Sequence, residues 1–123
     1  MVQSAAPDTT LEPTVGIWAS GKIAISKPAV DEWFHGTPAV NIYVHDTQPH
    51  IILEPTDDTE KGYTLQKHTT YQGRVIDAYS VLRKNHIPIP GKSTNLRSWV
   101  SVVETIENIN GPVVVVNYQR LLL

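Results

Sequence analysis

The sequence predicts a mainly β fold with two short helices, and three observations carry that expectation. Apolar residues alternate at period 2 in several short runs, clearest at Ile23 and Ile25 and at Val40, Ile42 and Val44. Polar turn stretches separate these runs, among them His45 to Pro49, Thr56 to Gly62 and Asn108 to Gly111. Only two stretches recur at helical spacing, Ala29 to Phe34 and Ala78 to Leu82. A chain of 123 residues is long enough to bury one core without covalent staples.

Residues 1–14 are polar, contain two prolines and lack periodicity, so they are expected to form an extended arm. Val15 to Ser20 then read as a strand, followed after Gly21 by Lys22 to Ile25 as a half-buried strand with Ile23 and Ile25 on its inner face. Ser26 is placed to cap a helix with Pro28 in its first turn, and Gly36 and Pro38 end that helix. A hairpin follows, its strands being Val40 to Val44 and His50 to Pro55. The acidic stretch Thr56 to Gly62 offers no apolar anchor and is the best internal boundary.

Beyond that boundary the order repeats. Tyr63 to Lys67 and Tyr71 to Ile76 read as strands, and a second helix has Ala78, Tyr79, Val81 and Leu82 on its apolar side. Pro88 and Pro90 forbid its continuation. Trp99 to Val103 and Pro112 to Tyr118 then flank Asn108 to Gly111, whose Asn-Gly pair signals a tight hairpin turn. The two halves share an architecture with little identity of sequence.

Charge is divided as sharply as structure. Residues 1–60 hold 2 basic and 9 acidic residues, a balance of −7, whereas residues 61–103 hold 7 basic residues against Asp77, a balance of +6. A basic middle of this kind meets an anion, either nucleic acid or the acidic face of another copy, or else is a solvated surface. The absence of cysteine excludes disulfides and thiolate metal sites. It also leaves a cytoplasmic or virion location as the expectation. No apolar run approaches the length of a membrane span, and no partner membrane is expected.

Gly21-Lys22-Ile23-Ala24-Ile25-Ser26-Lys27-Pro28-Ala29-Val30, followed by Val40 to Val44 and Ile51 to Pro55, resembles the AbrB/SpoVT swapped-hairpin unit in order and spacing. The shared features are a basic and apolar strand, a Lys-Pro entry into a short helix, an alternating strand, and a closing strand ending near proline. The likeness is closer over 15–55 than over 63–120. It implies one domain over 15–123 made of two AbrB-like units, 15–57 and 63–120, that close a pseudo-dimeric swapped-hairpin barrel within one chain. It further implies a DNA-binding transcription regulator, antitoxin-like or chromatin-associated factor. The positions matching the family's DNA contacts are Lys22 and Lys27, with Arg74, Arg83 and Lys84 as second-unit counterparts. The first unit carries two lysines beside Asp31 and Glu32 where the family often has several arginines, which shifts DNA contact towards the second unit.

No catalytic residue, cofactor or metal site is assigned, and the chain is not expected to be an enzyme. His45 and His50 flank one turn beside Asp46, but nothing resembles a metal-binding helix pair, and Ser80 and Ser101 lack a nucleophile-elbow context. Asp57 and Asp58 read as turn solvation. The alternative function is a structural or assembly protein, for example a virion component, forming a homo-oligomer or meeting another protein through the arm and the apolar end Leu121 to Leu123.

Overall fold

The computed structural model describes residues 13–90, 96–99, 101–106 and 109–118. Most of the expected arm and the three terminal leucines lie outside the described residues, as do the side chains of 96–111. Within them the protein is mainly β, with two antiparallel sheets and two short helices.

The first hairpin joins β1 (Thr14–Ile17) to β2 (Lys22–Ile25). Its turn closes through Gly21 N–H to the Trp18 carbonyl at 2.8 Å, with Gly21 at φ +82°, a conformation costly to any side chain. Ile23 and Ile25 face the core, as their period requires, but Ala24 on the other side is also 3% exposed. The strand is therefore buried on both faces, not on one. Trp18 continues the Gly16 alternation, and its ring meets His68 and Tyr71 edge-on at 5.2 Å each. Those contacts bring His68 and Tyr71 against the first hairpin.

Ser26 ends β2 with two tasks. Its hydroxyl accepts from Ala29 N–H at 3.4 Å, capping α1 (Lys27–Trp33), and from Thr14 N–H at 2.9 Å, tying the helix start to β1. Pro28 occupies the first turn, where a missing N–H costs nothing. The helix buries Ala29 and Val30, and Phe34 follows them into the core.

β3 (Ala39–Val44) and β4 (His50–Thr56) form the second hairpin, with Ile42 opposite Leu53 and Val44 opposite Ile51. Asp58 shapes the connection that follows: its Oδ1 accepts from Glu60 and Lys61 N–H, each at 3.0 Å. β5 (Tyr63–Thr64) is shorter than expected and pairs with β3, while Gln66, two residues on, bridges to Val75. β6 (Arg74–Asp77) leads directly into α2 (Tyr79–Lys84).

The strand expected from Trp99 to Val103 is divided into β7 (Leu96–Trp99) and β8 (Ser101–Ile106), which belong to different sheets. β9 (Ile109–Asn117) contains the Asn110-Gly111 pair that marked the expected turn. Ile106 pairs with Ile109, so the reversal falls earlier, and the register shifts between Val103·Val113 and Thr105·Asn110. Asn-Gly-Pro supplies the extra residue of a bulge there, which suits a glycine and a proline lacking N–H.

The four-stranded sheet has order β6-β2-β1-β7 and the five-stranded sheet β5-β3-β4-β9-β8. One hydrophobic cluster fills the space between them. It takes Val15, Ile23, Ile25, Phe34, Val40 and Leu53 from the first half and Ile76, Leu82, Ile87, Val114 and Val116 from the second. Trp33 and Ile42 pack against it, half-buried.

Candidate functional site

The β2·β6 pair carries two of the five candidate basic residues, Lys22 and Arg74, and the helices that follow these strands carry Lys27 and Arg83. Its register sets Lys22 opposite Asp77 and Ile25 opposite Arg74, so the antiparallel strands put one basic residue at each end, about 10 Å apart at three residue steps. Asp77 is the pair's own carboxylate.

At the first end, Tyr79 stands over Gly21. A Cβ at Gly21 would come within 2.5 Å of Tyr79 Cδ1 and 2.8 Å of its Cβ. Tyr79, expected on the apolar side of α2, is instead 45% exposed. The reason is that Ala78, Leu82 and Ile87 already fill the inner side. Arg83 lies one turn on, its guanidinium 5.7 Å from the Tyr79 ring centroid and its Nη1 donating to the Tyr79 hydroxyl at 2.9 Å. That hydrogen bond raises the Arg83 pKa further and keeps the group charged. Tyr79 and Arg83 thus sit beside the turn that leads into Lys22.

At the other end, Arg74 is half-buried and its Nη1 donates to the Gly73 carbonyl at 3.0 Å. Lys27 opens α1 nearby and its Nζ lies 2.7 Å from Asp31 Oδ2, both side chains being 56% exposed. An exposed pair of this spacing stabilises a helix by only about 0.3–0.5 kcal/mol, so a phosphate can compete for the lysine.

Lys84 stands apart from the other four. With Asn85, His86, the β3–β4 turn and Tyr118 it lines a cavity of about 440 Å³. Its floor depends on how α2 ends. Ile87 N–H donates to the Leu82 carbonyl at 2.9 Å and His86 N–H to the Arg83 carbonyl at 3.2 Å, the two bonds of a Schellman cap, with buried Ile87 beside Leu82. His86 holds the left-handed position, at φ +56°, where glycine is usual. Across the cavity His45 organises the turn: its Nδ1 accepts from Thr47 and Gln48 N–H at 3.1 and 3.0 Å, which leaves the proton on Nε2. His50 faces it edge-on at 6.1 Å between ring centroids.

The strain at His86 makes a direct prediction. His86→Gly should raise stability by about 1 kcal/mol, read as a higher midpoint in urea with unchanged slope, because glycine adopts φ > 0 freely. A lower midpoint would mean that the imidazole itself holds the fold.

Among the described residues no group of three metal-ligating side chains converges, and no helix is long and apolar enough to cross a membrane. Sequence reasoning placed Tyr79 on the apolar side of α2, read His86 as an exposed turn histidine and gave Tyr118 no role at a site. The i, i+4 spacing of Tyr79 and Arg83 was the available signal for the first, while the left-handed turn at His86 had none. Compared with family models, curated proteins and solved structures, the chain matches none.

Proposed function

We propose that the chain is a DNA-binding protein of AbrB-like type, a regulator or chromatin-associated factor whose two units interleave as a pseudo-dimeric barrel. The observation that carries this reading is the pairing between halves. β2 pairs with β6 and β4 with β9, while β1 of the first half pairs with β7 of the second and β5 of the second with β3 of the first. Each half therefore lends its opening strand to the other.

Two segments support closure of the barrel. Residues 63–66 pair with β3 at one end and with β6 at the other, and residues 96–106 pair first with β1 and then with β9. Corner strands of this kind join the edges of two sheets. The barrel reading places β2·β6 where both units contribute, and the pair carries Lys22 and Arg74 with a single carboxylate. Of the acids of the first half, Asp57, Asp58 and Glu60 lie in the β4–β5 connection and Glu54 is bonded to Asn41 and Tyr43, while Asp31 pairs with Lys27 itself. Phosphate neutralisation by Lys22, Arg83, Arg74 and Lys27 then gives affinity despite an acidic chain.

Lys22→Ala with Arg83→Ala should weaken retardation of duplex DNA and lower the slope of log affinity against log salt by about 1 to 2, roughly 0.9 per lost phosphate contact. The far-ultraviolet CD spectrum should stay unchanged, since Arg83 is exposed and Lys22 only partly buried. Parent-like retardation at every salt concentration, or none by the parent protein, would overturn the DNA reading.

A further inference from the structure

We propose that the cavity between the β3–β4 turn and the end of α2 binds a small phosphate-bearing molecule, a site separate from the β2·β6 surface. Three features argue for a ligand there. The cavity is an open cleft of about 440 Å³, larger than a bare phosphate, which leaves room for the organic part of the ligand. Its walls come from segments far apart in sequence, residues 44–49, residues 84–86 and Tyr118, so it exists only in the folded chain. His86 occupies a strained position that glycine would fill more cheaply, and its side chain lines this cavity.

The chemistry of the lining selects the ligand. Lys84 has no carboxylate within ion-pair distance among the described residues, so its ammonium is uncommitted. His86, Tyr118 and His45 share the lining and bring further groups able to donate, His45 through Nε2–H in the tautomer its turn holds. Donors from three segments suit a tetrahedral anion that accepts from several directions. Asp46 is the lining's carboxylate; its side chain is 93% exposed and its Oδ1 lies 3.5 Å from His45 Nδ1. A cation would meet Lys84 and gain one exposed carboxylate.

The test is a titration of the intact protein with inorganic phosphate and with glucose 6-phosphate, followed by amide chemical shifts in a phosphate-free buffer. Saturable shifts are expected at residues 45–49, 84–86 and 118, tighter for the sugar phosphate. Lys84→Gln should weaken binding about tenfold, the usual loss for one charged hydrogen bond, and Lys84→Arg should restore most of it. His86→Gly should fold and weaken both probes. Absence of saturable shifts up to about 10 mM, weaker than a typical millimolar site, would overturn the proposal, as would unchanged binding by Lys84→Gln. A duplex that shifts these amides when neither small phosphate does would assign the cavity to the DNA interface and overturn a small-molecule site. Loss of duplex retardation in the parent protein would count against the DNA reading and leave this titration intact.

Discussion

Gly73→Ala should cost more than about 3 kcal/mol and leave little folded protein at 37 °C, because the added methyl has nowhere to go. An ideal Cβ at Gly73 would lie 1.9 Å from the Ile25 carbonyl oxygen and 2.9 Å from its carbon, both backbone atoms of β2. No rotamer change relieves a clash with main chain. β6 would have to withdraw by more than an ångström at the point where Arg74 pairs with Ile25, and the hydrogen bonds joining the two halves would lengthen with it. Gly36→Ala is the contrasting case. Nothing lies within 4 Å of a Cβ there, but φ is +72°, so the cost is conformational alone and about 1 kcal/mol. Urea midpoints for the two variants measure the difference. A Gly73→Ala protein as stable as Gly36→Ala would mean that β2 and β6 are not packed this closely.

The same contrast explains what could be read from the sequence. The α1 segment was legible because its causes are local: Ser26 caps, Pro28 starts, and Ala29, Val30 and Phe34 keep helical spacing. The β3–β4 hairpin was legible for the same reason, Val40, Ile42 and Val44 alternating beside a polar turn. Burial of Ala24 was not, nor was the meeting of Trp18 with His68 and Tyr71, residues some 50 positions apart. Asn110-Gly111 misled because one dipeptide chemistry serves both a tight turn and a bulge, and pairing partners decide between them. At the site, charge was legible and company was not. Arg83 and Lys84 are neighbours in sequence, yet one stacks on Tyr79 over Gly21 and the other turns to a cavity shared with the β3–β4 turn.

Leu82→Ala should lower stability by about 2–5 kcal/mol, a large part of the roughly 5–15 kcal/mol typical of a small domain. Leu82 is 1% exposed and belongs to the cluster that also holds Ile25, Leu53 and Val114. It additionally receives Ile87 N–H at its carbonyl, so the cavity left by truncation opens beneath the cap that positions His86. Because residues of both halves line that cavity, the loss cannot be confined to the second half. Unfolding of the variant should therefore remain a single transition, moved to lower urea with the slope preserved. Two probes divide the question. Tryptophan fluorescence reports on Trp18 and Trp33 of the first half and on Trp99 of the second, while far-ultraviolet CD reports on the whole backbone. Coincident curves at a lowered midpoint are the expected result. If CD falls in two steps, with fluorescence following the later one at the parent midpoint, the first half is stable without the second, and the shared core does not couple them.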